Sequence, residues 1–387
     1  MNKLNSQSNT TIKIGIIAGE IHRRGGMERA AAEVFERIAA QHEVVAFASV
    51  CEIKAPRLTW KSVQPIRRPA VLRHWSFRRK VHSLEADAHC TITNSIGAAA
   101  IDADVITAQF CHAAFTKYYG GLRGGKGFVR KRYQEWVQRI YTRQEREAYA
   151  SPRLKKVIAV SNGVKRELIE HYHVDADKIV VIPNAVNHAV FHPAANAQDK
   201  RELRSRLGLP ETKFLCLFVG GDWDRKGLTN AIEAISGVPN TALVVVGQGD
   251  IARFSAVAEQ AGVAESVIFA GRSQSPQDYY AAADVFVFPS RYEAFSLVTL
   301  EAAASGLPLI VLSINGTEEL IEEGVNGFFA QPDSDSFRTK LFLLCEDPAR
   351  CQEMSDAAVC SSLPYSWDRI AAQQMQVFEE ANKINYK

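Results

Sequence analysis

The sequence predicts an α/β protein built as two doubly wound domains, and three observations carry that expectation. Short apolar, β-branched runs alternate with amphipathic stretches along the whole chain. The runs are continuous rather than alternating, as expected of parallel strands covered by helices on both faces. The chain has 387 residues, enough for two domains of ordinary size.

The first run is IKIGIIA at 12–18, and Met27, Ala30, Ala31, Val34, Phe35 and Ile38 then recur at helical spacing. EVVAFA, TITNSI, DVITAQF, KKVIAV and KIVVIP continue the strand series. The segment NAVNHAVFHPAANAQDK (184–200) carries Pro and Asn without periodicity and marks the expected hinge. Beyond it the alternation repeats: KFLCLFVG, a helix near 227–236, TALVVVG, a helix near 251–262, SVIFAG, a short helix, DVFVFPS, a helix from about 296, and LPLIVLS. The closing SWDRIAAQQMQVFEEANK (366–383) reads as an amphipathic helix. The expected divisions are therefore 1–187, 188–365 and a helical tail, 366–387. Ligands of open α/β sheets bind outside the carboxyl ends of the strands. Two facing domains of this kind would hold a ligand in a central cleft.

Composition narrows the class. At 47% hydrophobic and 23% charged residues, the chain is an ordinary globular one and not a disordered or collagen-like one. No uncharged apolar run reaches the roughly 18 residues a membrane span requires. The N-terminal MNKLNSQSNTTIKIGIIAGE lacks the basic, apolar, small-residue order of a secretory signal. Seven cysteines without a CxxC pair or a Cys/His cluster fit reduced thiols in a cytoplasm and argue against a structural zinc site. Neither a metal nor a bound cofactor is expected.

The net charge of +3 hides an asymmetry. Residues 1–185 hold 30 Lys and Arg against 17 Asp and Glu, and the remainder 16 against 26. The first half should therefore meet something anionic, whether phosphate-bearing lipid, acidic glycan or nucleic acid. The stretches 53–80 and 123–146 mix basic and aromatic residues. A solvated face and a peripheral membrane patch have equal claim on them.

Chemistry concentrates in FPSRYEAFSLVTLEAAASGLPLIV (288–311). A strand ends, a loop follows and a helix begins near Phe295 and Ser296, with Glu293 just before it and Glu301 inside it. At 1.5 Å per helical residue the two carboxylates stand on the order of 10 Å apart, which suits two ends of one extended ligand. Between them, amides at Phe295, Ser296 and Leu297 would form an anion-binding helix start. Hydroxyls at both ends and phosphate in the middle describe a sugar nucleotide. Alone, an N-capping Glu and a solvent-facing Glu would explain the pair better. VGGDWDRKGLTNAIEAI (219–235) adds Arg225 and Lys226 at the start of another helix, a fork and a point charge suited to a diphosphate. In GEIHRRGGMER (19–29), Gly25 and Gly26 would let backbone approach a ligand closely. An ordinary solvated basic pair and a plain strand-to-helix turn are the bland counterparts.

Together these pieces resemble the retaining family-four (group 1) glycosyltransferases of the GT-B fold. The resemblance spans nearly the whole chain and is strongest from 214 to 331, where VGG…RKG, VVGQG, Glu293-x7-Glu301 with SGLPLIV, and NGTEELIEEGVNGFF follow the family's order. The first half is most similar to the lipopolysaccharide-core α-hexosyltransferases, through GGMER, ADVITAQFCHAAF and KKVIAVSNGVKRELIEHY. The resemblance implies that Glu301 holds the donor ribose and Glu293 contacts the transferred hexose. Arg225, Lys226 and Gly26 would meet the diphosphate, Arg272 would sit near the nucleobase, and His112 near the reacting sugar. For His112, a satisfied, partly buried loop histidine has even odds. The resemblance also implies an N-terminal acceptor domain, a C-terminal donor domain, closure about the hinge, and a tail helix packed back on the N-domain.

Two departures stand out. Gly220-Gly221 replaces the family's Gly-Arg, removing one cation that Arg225 would replace, and Ala294 replaces the Gly after the first Glu.

The expected activity is metal-independent transfer of a hexose from a nucleotide sugar, UDP preferred over GDP or ADP. The acceptor would be a glycan or lipid-linked, with the protein cytoplasmic or peripheral at the inner membrane face. A GT-B epimerase and a non-catalytic sugar-nucleotide or nucleic-acid binder are the rivals. Nucleic acid is not expected, because recognition motifs and stacking platforms are absent. VVGQGD lacks the dinucleotide fingerprint, and in GLRGGKGF (121–128) Gly127 follows Lys126 where a P-loop needs Ser or Thr.

Overall fold

A computed structural model describes residues 12–66, 70–120 and 128–384. The P-loop-like segment therefore lies outside the described residues over 121–127, as do 67–69 and 123–127 of the two basic stretches. The chain forms two compact units. One comprises Met1–Val160, Val164–Ile182 and Asp368–Lys387, the other Ser161–Gly163 and Pro183–Trp367.

The first unit is a parallel sheet of β1 (Lys13–Ile17), β2 (Glu43–Ala48), β3 (Leu58–Ser62), β4 (Ile92–Ile96), β5 (Val105–Ala108), β6 (Lys156–Ala159) and β7 (Ile179–Val181). Their order across the sheet is β3-β2-β1-β4-β5-β6-β7, reversing between β1 and β4. Strands β1 and β5 are mostly apolar because both faces are covered, with Ile14, Ile16, Val105 and Ile106 fully buried, whereas β4 between them buries Thr93, Asn94 and Ser95. Helices α1 (Gly26–Gln41), α2 (Ala70–Ala88), α3 (His112–Tyr119), α4 (Phe128–Tyr149) and α5 (Asn162–Tyr172) connect them. The sequence reading misses β3, which lies inside the basic, aromatic stretch 53–80. As an edge strand it pairs, among the described residues, only with β2 and leaves Thr59 to Ser62 exposed, so no apolar run announces it.

The C-terminal helix Trp367–Lys383 contributes Asp368 onward to this unit. Phe378 stacks on Phe35 of α1 at 6.3 Å, and Arg37 Nε donates to Asp368 Oδ1 at 2.6 Å.

The second unit is a parallel sheet of β8 (Phe214–Val219), β9 (Thr241–Val246), β10 (Val267–Gly271), β11 (Val285–Phe288), β12 (Leu309–Leu312) and β13 (Gly327–Ala330). Its order is β10-β9-β8-β11-β12-β13, again reversing once, between β8 and β11. Helices α6 (Ala197–Arg206), α7 (Leu228–Ala234), α8 (Ile251–Gln260), α9 (Pro276–Ala282) and α10 (Leu297–Ala304) belong to it. Both units are thus Rossmann-like. The reversal point opens the crevice where such sheets take their ligands.

Two local details differ from the sequence reading. Helix α10 starts at Leu297, with Ser296 as its cap: Ser296 Oγ accepts from Thr299 N at 3.3 Å. Phe295 and Ser296 therefore precede the helix, and its first amides are those of Leu297, Val298 and Thr299. Arg225 and Lys226 sit in the turn before α7 and not in its first turn, because Gly227 caps that helix in the left-handed region (φ 74°). A Cβ at Gly227 would stand 2.3 Å from the Pro289 carbonyl oxygen, so only glycine lets the two loops approach.

Candidate active site

The loops leaving the carboxyl ends of β8 and β11 meet at the reversal point of the second unit. A backbone bond joins them, from Arg291 N to Arg225 O at 3.0 Å. Arg225, Lys226 and Glu293 converge there. Glu293 Oε1 accepts from Arg225 Nη1 at 2.9 Å, Lys226 Nζ at 3.2 Å and Ser290 Oγ at 2.9 Å. All three donors use the same oxygen. Oε2 has no hydrogen-bond partner among the described residues and is not wholly sealed from solvent. Arg225 is braced further by Tyr292 O at 2.5 Å and Asp222 Oδ2 at 2.9 Å. The Lys226 ammonium lies 4.5 Å over the Phe288 ring, and its stem passes Gly220, where a Cβ would be 2.6 Å from Cδ and Cε.

The electrostatics follow from burial of opposite charges. Burial alone would raise the Glu293 carboxyl, but Lys226, Arg225 and the Ser290 hydroxyl outweigh it and hold it below the usual glutamate value. Burial lowers the Lys226 ammonium, and the Arg225 charge adds to that effect against the pull of Glu293. Burial also opposes the Arg225 charge, but Glu293 and Asp222 prevail and raise it. The donors still uncommitted among the described residues are Arg225 Nη2 and two of the three Lys226 protons.

Glu301 lies within α10 at 4% exposure, and its Oε2 accepts from the hydroxyl of Tyr280 at 2.9 Å. Tyr280 itself is fully buried on α9. Arg272 follows β10 and is exposed. Ala294, the departure beside Glu293, is buried at 8% exposure, whereas the glycine at 221 has only Gln248 O within reach of a Cβ, at 3.5 Å.

The first unit carries the other predicted residues. Gly25 caps α1 without a side-chain bond, and Gly26 is the first helical residue, beyond the carboxyl end of β1. His112 opens α3, past the end of β5. Its Nδ1 lies 2.7 Å from Glu145 Oε1, and its backbone N–H donates to Glu145 Oε2 at 2.9 Å. Of the basic stretches, Trp75 and Trp136 are about half exposed while Phe77 is buried. The Arg79 guanidinium lies 5.6 Å over the Trp75 ring. Among the described residues, no group of three or more His, Cys, Asp or Glu is placed to hold a metal ion. No described helix is long and apolar enough to cross a membrane.

A family model described as Glycosyl transferases group 1 matches residues 199–359, and one described as Glycosyltransferase Family 4 matches 24–190. The chain belongs to the family-four, group 1 glycosyltransferases. An uncharacterised glycosyltransferase of Methanocaldococcus jannaschii is 32% identical over 237 residues, 59% of this chain and 61% of the relative. The UDP-Gal:α-D-GlcNAc-diphosphoundecaprenol α-1,3-galactosyltransferase of Escherichia coli is 32% identical over 52% of this chain and 54% of its own length. The aligned segments span only about three fifths of the length of the curated relatives. The crystal structure of WaaG, a glycosyltransferase involved in lipopolysaccharide biosynthesis, superposes with a TM-score of 0.78 at 21% identity, covering 94% of this chain and 99% of that one. It shows the shared GT-B fold.

In this chain the sequence reading separates what the structure joins. It assigns Glu293 to one end of a ligand and Arg225 with Lys226 to the middle, whereas the three form one ion cluster. It also passes over Ser290, Tyr280 and Glu145. Ser290 could have been noticed by position, directly after the β11 strand and its proline, at a reversal point. Ser290 is fully buried and holds Glu293 Oε1 alongside the cations. The Ser290→Ala variant should lose about 1 kcal/mol of stability, the usual worth of one hydrogen bond. It should lower kcat about tenfold more than it changes donor KM, read by steady-state kinetics beside urea unfolding, because a loosened Glu293 misplaces the Oε2 oxygen.

Proposed function

We propose that this glycosyltransferase moves a hexose from UDP-sugar to a glycan or lipid-linked acceptor, with retention of configuration and without a metal ion. The observation that carries the reading is the convergence of Arg225, Lys226 and Ser290 on one oxygen of Glu293 at the reversal point beside the start of α10. In the transfer, the bond between the anomeric carbon and the diphosphate oxygen breaks. The acceptor oxygen bonds to that carbon, and its proton passes to the leaving phosphate. Negative charge grows on the diphosphate. Arg225 Nη2, the spare Lys226 protons and the Leu297 and Val298 amides of α10 are fixed donors for it. The open Oε2 of Glu293 takes a hydroxyl of the transferred hexose, and Glu301 takes the ribose. Gly25 and Gly26 let backbone approach the diphosphate, Arg272 lies by the base, and His112 lies by the reacting sugar.

The preference for UDP and for a lipid-linked acceptor is supported by the name of the E. coli galactosyltransferase, which contains both. In this reading the first unit binds the acceptor and the second the nucleotide sugar. A role in lipopolysaccharide biosynthesis and a place at the cytoplasmic membrane face fit the basic first half. They also fit a groove of about 700 Å³ beside α3 and α4 that presents Lys117, Arg139, Arg143 and Arg146.

A thermal-shift panel tests the donor. UDP-hexoses should raise the melting temperature, with stabilisation approaching 2.7 kcal/mol at about 100 times Kd, and GDP- and ADP-sugars should not. A panel in which no nucleotide sugar shifts the transition would refute donor binding. Release of nucleoside diphosphate only when acceptor is present separates a transferase from an epimerase.

A further inference from the structure

We infer that Glu145 is a positioning residue that keeps the His112 hydrogen on Nδ1 and turns Nε2 outward to accept a hydrogen bond from a sugar hydroxyl. The inference rests on the proposed placement of His112 near the reacting sugar, and it adds the group that sets the ring.

Glu145 lies on α4 at 2% exposure, an expensive place for a carboxylate unless its lone pairs are used. They are used by two different jobs. Oε2 accepts from the His112 backbone N–H at 2.9 Å and from the Tyr172 hydroxyl. That oxygen does the work of a helix cap, taking the first backbone N–H of α3. Oε1 has nothing to do with the cap: it meets His112 Nδ1 at 2.7 Å. A carboxylate can only accept, so the hydrogen on this contact belongs to the ring.

The rest of the pocket fixes the ring plane. Phe110 and Tyr141 each lie 4.9 Å from the His112 ring. Tyr141 Oη pairs with His74 Nε2 at 2.9 Å on α2. Burial, with help from Arg73 and Arg78, pushes His74 down to about 4, so it adds no charge at neutral pH. Tyr141, Tyr149, Tyr172 and Cys111 are all pushed up by burial and stay protonated. His112 Nε2 has no partner among the described residues and is not a buried orphan; the side chain is 28% exposed. With its hydrogen on Nδ1, the uncharged form of the ring offers a lone pair at Nε2. A hydroxyl can donate to it, whereas a phosphate oxygen cannot.

Glu145→Gln tests the assignment, because an amide can keep only one of the two jobs as it stands. The backbone N–H cannot reverse, so the amide carbonyl takes the cap and its NH2 faces Nδ1. The ring must then accept at Nδ1 and carry its hydrogen on Nε2. Long-range 1H–15N spectra of the full chain, recorded near pH 8.5, well above the ordinary imidazole pKa of about 6.5, read the two forms directly. His112→Ala identifies the signals. The wild type should show the Nδ1–H form and Glu145→Gln the Nε2–H form. A wild type with the hydrogen on Nε2, or a variant that leaves the ring unchanged, overturns the inference.

Kinetics provide the second arm. Glu145→Gln should lower kcat at least about tenfold, and the His112→Ala, Glu145→Gln pair should be no slower than His112→Ala alone. Additive losses would place the role of Glu145 elsewhere and overturn the inference. A wild type that transfers no hexose would refute the functional reading alone, leaving the spectra to decide the hydrogen position.

Discussion

The Arg225→Ala, Lys226→Ala double variant is expected to lose about 10³-fold in turnover, the cost of removing preorganised donors from a growing oxyanion. The two single losses should not sum to it, because both cations serve one diphosphate and share one carboxylate. Stability should fall as well. The Glu293 side chain is only 14% exposed, and without its cations it becomes a buried charge held by Ser290 alone. Breaking such a pair costs about 3 kcal/mol.

The pH dependence should change sign with it. In the wild type Glu293 is held below the ordinary glutamate value, so its contribution is present above the unfolded pKa and is lost as pH falls through the folded one. In the double variant burial dominates and the folded pKa rises. The variant should therefore regain stability on acidification from pH 7 to about 5, and lose it as pH rises through the folded value. Urea midpoints across that window, read beside the wild type, check the sign. Full turnover in a folded double variant would rule out the clamp.

Much of the fold is legible because parallel strands buried on both faces must be apolar throughout, and β8, β9 and β11 are such runs. The edge strand β3 is not legible, since Trp60 and Lys61 need no cover on their outer side. The site is legible by residue and not by geometry. Arg225 and Glu293 are 68 positions apart, and only the adjacency of β8 and β11 brings their loops together. Glu145 hides in RQEREAY, where a carboxylate among arginines reads as a solvated helix face until α3 is laid against it. Tyr280 reads as one more apolar helix residue, and only its hydroxyl contact with Glu301 marks it.

That contact governs the second large effect. Deleting the Glu301 carboxylate should weaken donor binding roughly 10- to 100-fold, the worth of a hydrogen bond to a charged group at about 1.5–3 kcal/mol. Glu301→Ala should also lose stability, because the fully buried Tyr280 hydroxyl would lose its bond to the Glu301 carboxylate, at a cost of about 1–3 kcal/mol. The alanine variant by itself therefore confounds a damaged fold with a lost anchor. Glu301→Gln separates them. Its amide oxygen can keep the Tyr280 bond, so melting should stay near that of the wild type, while the charge that favours two ribose hydroxyls is gone. Tyr280→Phe supplies the converse, keeping the charge and removing the brace. Calorimetric titration of UDP-hexose beside thermal melts of all three variants decides the point. A Glu301→Gln protein that melts normally and binds donor as tightly as the wild type would take the ribose away from Glu301 and leave the carboxylate as a partner of Tyr280.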